Sequence, residues 1–312
     1  MANSIALANK FLPKQDEVYK VFSKSAGLDA ANADIKFIGA NEVKVFKMAL
    51  QGLGNYGRNT GYVDGDVTGT WETLTLPYDR ARSFQVDAMD DEESLGLAFG
   101  RLVSTFMKTK VIPEIDTVRF AKYAIEAGNK VNADLSTAAT VLAAIDTAEK
   151  TLDDAEVPEE GRKLYVSNAV YQLLKGGITR MFKNEGTVNR NVEYFDEMEV
   201  VRVPAPRFNV DTAQTTAGVA LYDGSTSGQT AGGFFFDKTS SYGINFLIVH
   251  PSAVVQTIKH EVPRIFSPQE NQKANAWRYD YRLYHGVNVL DNKVNGIYLH
   301  RRATANTADI AG

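Results

Sequence analysis

Residues Glu42 to Ala88 carry strand after strand and no helix for them to pack on. Val43-Lys44-Val45-Phe46-Lys47-Met48, Trp71 to Leu76 and Arg82-Ser83-Phe84-Gln85-Val86-Asp87 each alternate in period two, and Gln51 to Thr70 between them is rich in Gly and Asn. The segment reads as one long two-legged hairpin. Legs of about 20 residues at ~3.3 Å per residue would reach up to roughly 60 Å. A compact body of 312 residues has a radius of gyration of only about 20 Å. A lone two-stranded ribbon is marginally stable in water, so a projecting one has to lie on something, and the nearest candidate is another copy of the chain.

Before the hairpin, Met1 to Ala40 scatters apolar residues with little pattern. After it, Asp90 is placed to cap a helix with Asp91, Glu92 and Glu93 in its first turn. Leu95, Phe99, Leu102 and Phe106 form one apolar face. Pro113 interrupts it, and the stripe resumes through Ile115, Val118, Ala121 and Ile125 to Gly128-Asn129. A long helix, broken or kinked near Pro113, is expected. A second helix should run from Asp134 through Leu152. Lys163 to Ser167 reads as a buried strand turning into a short helix from Asn168 to Gly176-Gly177. Met198 to Val203 is strand, Phe208 to Gly243 a mobile Gly/Ser/Thr-rich insertion, and Ile244 to Val249 an interior strand. Pro251 is placed to open a helix up to Lys259. Trp277, Tyr279, Tyr281, Leu283 and later Val287 and Val289 indicate a final antiparallel pair.

Sites that could carry chemistry are few. Gly52-Leu53-Gly54-Asn55-Tyr56-Gly57 fits G-x-G-x-x-G, but the third glycine opens no helix to hold a pyrophosphate, so these are loop glycines. His250, His260, His285 and His300 form no metal-ligand spacing, and without Cys there is no thiolate site or disulfide. No nucleophile motif occurs, and Glu114 and Asp116 read as helix-start carboxylates. We assign no catalytic, cofactor or metal residue. A net charge of -4 gives no global pull toward nucleic acid or an anionic membrane, and no apolar run approaches the ~20 residues that span a bilayer. Arg80, Arg82, Arg301 and Arg302 suit salt bridges. Phe234-Phe235-Phe236 is either tucked into the core or reserved for a partner.

The order of arm, hairpin, kinked helix, α/β portion and returning antiparallel strands resembles the major capsid proteins of tailed bacteriophages, the Hong Kong 97-type fold. Trp71-Glu72-Thr73-Leu74-Thr75-Leu76, Asp79-Arg80, Phe84 to Asp90 and Glu93 are similar to that family's extended loop running into its spine helix. Val111-Ile112-Pro113-Glu114-Ile115-Asp116 with Arg119 resembles a phrase within the helix. Gly161 to Ser167, Phe246 to Val254, and Tyr281 to Val287 through Asp291-Asn292-Lys293 resemble later segments in the same order.

The resemblance implies an α+β shell protein. It would have an N-terminal arm over residues 1–40, an extended loop over 41–88, and a peripheral domain over 89–131 plus 265–300, with spine helix and antiparallel sheet. An axial α/β domain over 132–264 would include the insertion 208–243, and a tail would cover 301–312. Contacts between subunits would fall to Tyr56, Arg58, Tyr62, Trp71, Leu74 and Leu76 of the loop and to Phe11, Leu12, Tyr19 and Phe22 of the arm. Pro113 would be the hinge when the shell matures. Such a chain is no enzyme and takes no cofactor. It forms hexamers and pentamers in the bacterial cytoplasm and ends in the virion. Gln51 to Pro77 contains no Lys, which argues against the covalent cross-linking of some members. Its partners would be a separate scaffolding protein, a cement protein, a portal, and packaged DNA touched without sequence preference; no membrane is involved. An encapsulin-type compartment shell or a soluble two-domain enzyme are the alternatives.

Overall fold

The computed structural model describes residues 23–32, 42–59, 61–93, 97–177 and 192–312. Strands β1 (Glu42–Leu50) and β2 (Val67–Thr75) pair antiparallel from Glu42 opposite Thr75 to Leu50 opposite Val67. The hairpin therefore has nine-residue legs, about 30 Å at ~3.4 Å per residue. The expected longer hairpin is corrected at Pro77, which has no N–H to continue the ladder. Beyond it β3 (Tyr78–Asp87) leaves β2 and joins another sheet.

Helix α1 (Ala88–Glu93) follows, capped by the Asp87 carboxylate, which accepts from Met89 N at 2.9 Å; Asp90, the expected cap, lies inside it. Then α2 (Leu97–Phe106) passes through a π turn, Met107–Val111, into α3 (Ile112–Glu126). Pro113 does not break the helix. It cannot donate to the turn before it, and the backbone widens instead, so that Ile112 N–H bonds back to Met107 O. Leu102, Phe106 and Val111 pack against Tyr279, Tyr281 and Leu283, whereas Val118, Phe120 and Tyr123 enter the main core.

The rest of the chain builds β4 (Asn129–Asn132), α4 (Ala138–Asp154), β5 (Lys163–Ser167), α5 (Asn168–Gly177), β6 (Tyr194–Phe195), β7 (Met198–Val203), β8 (Asn209–Asp211), β9 (Ala220–Leu221), β10 (Phe234–Phe236), β11 (Ser241–Val249), β12 (Val254–Phe266), β13 (Ala276–Val289), β14 (Ile297–Arg301) and β15 (Ile310–Ala311). A large sheet runs β4-β14-β11-β5-β7-β6, with β8 also on β11. Strand β11 is its buried centre, as the apolar run Phe246 to Val249 requires. Its alternate side chains feed two cores. Phe246 and Ile248 meet Val141, Ile145, Leu152 and Val170 of α4 and α5, while Leu247 and Val249 meet Phe120 and Tyr123 of α3. Helix α4 starts later than expected, with Thr137 and Thr140 forming a reciprocal cap; Asp134 accepts instead from Ala303 N at 3.2 Å.

The second sheet is β12-β13-β3. Pro251 opens only a single 3-10 turn, and the β-branched run from Val254 goes on as a 13-residue strand where a helix was expected. The expected final pair is one 14-residue strand, β13, flanked by β12 and β3. These pairings move the domain limits. A boundary between 264 and 265 would cut β12, and β14, expected with the peripheral part, belongs to the large sheet.

The segment Phe208 to Gly243 is packed rather than loose. Phe208, Val210, Val219, Phe234 and Phe236 are buried in the main core, and Phe235 stacks on Tyr222 at 5.1 Å. Gly218, with φ of 69°, lets the backbone approach α3 so closely that a Cβ would sit 2.5 Å from Ala121 O. The expected tail is also tied in: β15 pairs with β10, and Gly312 N donates to Phe234 O at 3.1 Å.

Candidate functional site: the exposed hairpin and the spine

Alternation along β1 and β2 splits the hairpin into two faces. On one, Val45 and Leu74 pack with Val255 and Leu290, and Lys47 bridges Glu72 at 2.7 Å and Asp291 at 2.8 Å. That face ties the hairpin's base to the body. The other presents Phe46, Met48, Leu50, Val67 and Trp71, all exposed, with Phe46 and Trp71 in ring contact at 5.0 Å. At the tip Leu53, Tyr56, Tyr62 and Val63 are exposed, and Tyr56 meets Tyr62 edge-on at 5.1 Å. Large apolar side chains on a narrow ribbon, with none of the described residues above them, mark an interaction surface.

Of the loop residues nominated from sequence, Tyr56, Arg58, Tyr62 (90% exposed) and Trp71 (61%) lie on this outward surface. Leu74 and Leu76 do not. At 5% and 4% exposure they are buried in their own chain, because the hairpin's base is wedged on β12 and β13; Leu76 fills the space above Gly286. They anchor the ribbon rather than offer it. Sequence reasoning missed Phe46, Met48, Leu50 and Val67, which the period-two alternation of β1 and β2 already set on one face. Phe11, Leu12, Tyr19 and Phe22 lie outside the described residues. Pro113 is buried at the start of α3, directly after the π turn.

Within the segment expected as an N-terminal arm over residues 1–40, Ser23 to Asp29 are held by the body. Leu28 is fully buried, and Asp116, also fully buried, accepts from Ser23 Oγ and Ser25 Oγ, both at 2.7 Å, from Lys24 N at 3.0 Å and from Arg207 Nη1 at 3.1 Å. A carboxylate buried this deeply needs charged or hydrogen-bonding partners of this kind. The helix-start role expected of Asp116 is thus replaced by a clasp.

Two further groups are electrostatically unusual. Asp146 and Glu149 of α4 and Asp196 of the β6–β7 turn bring carboxylate oxygens within 4.8 Å of one another, the only grouping with metal-ligand spacing among the described residues. Burial, then repulsion from Asp196 and Asp146, pushes the Glu149 carboxyl up to about 7. His285 on β13 is buried against the Tyr78 ring at 5.2 Å with neither nitrogen hydrogen-bonded. Burial, with Arg119 and Arg80 nearby, pushes its imidazole down to about 3. Arg80 itself pairs with Glu114 at 2.6 Å, the salt-bridge role its sequence context suggested. Among the described residues no helix is long and apolar enough to cross a membrane.

No protein-family model matches the chain, and no curated protein does. Solved structures match over almost its whole length. The mature capsid of bacteriophage PhiM1 superposes with a TM-score of 0.60 at 14% identity, covering 95% of this chain and 91% of that one. The capsid of cyanophage P-SCSP1u gives 0.58 at 11%, covering 96% and 93%. A chain of Gordonia phage Cozz gives 0.62 at 12%, covering 95% and 92%. The fold is that of a phage shell protein. More narrowly, with its hairpin, interrupted spine and three further sheets, its α+β architecture is that of the Hong Kong 97-type capsid fold that the sequence resembles.

Proposed function

We propose that this chain is the major capsid protein of a tailed bacteriophage, assembling into hexamers and pentamers of an icosahedral head that encloses double-stranded DNA. The carrying observation is the outward apolar face of the hairpin, Phe46, Met48, Leu50, Val67 and Trp71, on a fold shared along its length with phage capsids. Covering such patches on identical neighbours, at ~25 cal/mol per Å² of apolar area, makes many modest contacts that close under symmetry. Neither catalysis nor a cofactor enters this reading. Tyr56, Arg58, Tyr62 and Trp71 are its loop contacts, Phe11, Leu12, Tyr19 and Phe22 its arm contacts, and Pro113, directly after the π turn, its hinge.

Assembly would take place in the host cytoplasm with a separate scaffolding protein and a portal, and a cement protein would reinforce a shell without cross-links. DNA contact would be nonspecific and salt-sensitive. Electron microscopy of the purified chain, alone and co-expressed with adjacent reading frames, tests this: closed shells are expected. Shells filled with an enzyme would favour an encapsulin-type compartment, and a discrete monomer with a ligand-filled pocket would favour a soluble enzyme. A ladder of covalent multimers on denaturing gels would overturn the absence of cross-linking.

A further inference from the structure

Asp116 and Arg119 stand one turn apart on α3, both buried, and their partners come from about ninety residues earlier. Besides the bonds from Ser23, Lys24 and Ser25 to Asp116, Arg119 Nη1 donates to Ser25 Oγ at 3.0 Å and its Nη2 lies 3.2 Å from Asp29 Oδ1. From β12, Gln256 Nε2 donates to Ser25 O at 2.9 Å and to Asp29 Oδ1 at 2.6 Å, and Tyr123 OH donates to Gln256 Oε1. We propose that residues 23–29 are a releasable latch, with Asp116 and Arg119 as its receptor, that holds α3 to the body and confines bending of the spine to the π turn and α2.

Three observations support a latch rather than ordinary core. The attachment is almost wholly polar, hydroxyl and amide to carboxylate, with Leu28 as its apolar anchor, so water can replace most of it. Its receptor tolerates vacancy: Asp116 keeps Arg207, and Asp116 and Arg119 have opposite charge at i and i+3, where they can pair once Ser25 and Asp29 leave. The two halves of the spine are also held unequally. Every residue from Asp116 to Ala124 is buried, none from Arg101 to Phe106 is, and a cavity of about 570 Å³ lined by Phe84, Phe106, Thr109 and Tyr222 lies beside the π turn. Tension on the chain ahead of Ser23 would be delivered to α3 through Asp116.

The inference concerns the single chain and stands apart from the shell reading. Hydrogen–deuterium exchange on the full-length, unassembled protein tests it. Amides of 24–29 and 112–124 should exchange at least about tenfold more slowly than those of 97–106. In S23A/S25A, 24–29 and 112–120 should both speed up about tenfold while 244–249 of β11 stays protected, and D116N should do the same. Equal protection of 97–106 and 112–124 in the wild type would overturn the proposal, as would a freed 24–29 with α3 unchanged. Should the double variant lose protection throughout, S25A alone decides: loss confined to 24–29 and 112–120 upholds the latch, and loss reaching β11 makes the segment plain core.

Discussion

Phe46 and Trp71 face each other across β1 and β2 with ring centroids 5.0 Å apart, on the side of the ribbon that no other described part of the chain covers. Their contact is local to the hairpin, so truncating Trp71 should leave the body intact. We expect W71A to change the unfolding free energy of the monomer by less than about 1 kcal/mol and to abolish or strongly slow assembly. Chemical denaturation and sedimentation of the same preparation separate the two effects. Assembly at the wild-type rate and yield would remove the hairpin from the interface.

At the other end of the ribbon, Gly286 leaves room for Leu76. A Cβ at residue 286 would lie 2.9 Å from Leu76 Cα, a backbone atom that cannot swing aside. G286A should therefore cost about 1–3 kcal/mol through overpacking. Faster exchange at 74–78 than in the large sheet would show that the loss begins where the hairpin joins the body.

Glu149 predicts a stability slope on the alkaline side. Its folded carboxyl is raised to about 7 from an ordinary 4.5, so the folded chain holds the proton more tightly than the unfolded one. Stability from this group is full below about pH 4.5 and is lost as pH rises through 7. Because the group is half-exposed, solvent screening reduces the effect to about 1–2 kcal/mol. E149Q should flatten that slope and raise the melting temperature at pH 8.

His285 acts in the opposite window. Its folded value near 3 lies below the ordinary 6.5, so the stability it allows is present above pH 6.5 and falls as pH drops toward 3. Between pH 6.5 and 5 the loss should be about 2 kcal/mol. H285F, which keeps a ring against Tyr78, should remove most of that dependence in urea titrations; an unchanged slope would assign it to other groups.

Sequence periodicity carries the elements whose partners are near or whose pattern is strong. The run Ile244 to Val249 could only be an interior strand, and Lys163 to Gly177 could only turn from strand to helix. What it hides is pairing at a distance. Strand β3 alternates like β2, and only β13, some two hundred residues on, removes it from the hairpin. Ser23, Ser25 and Asp116 are ordinary polar residues until the fold brings together positions 91 to 93 apart. Likewise Phe234 and Phe236 look equally suited to core or partner until β15 closes over β10. Alternation sets Phe46, Met48, Leu50, Val67 and Trp71 on one face, but that this face looks outward depends on Val255 and Leu290 receiving Val45 and Leu74.

The π turn at Met107–Val111 also fixes chain length. An α-helix advances about 100° per residue, and a turn closed by an i to i+5 bond inserts one residue into that count. Phe106 can thus aim at the small sheet while Phe120 aims at the large one. Deleting a single residue there would restore regular winding and rotate one half of the rod by about 100° against the other, so insertions and deletions in this stretch should be far less tolerated than substitutions.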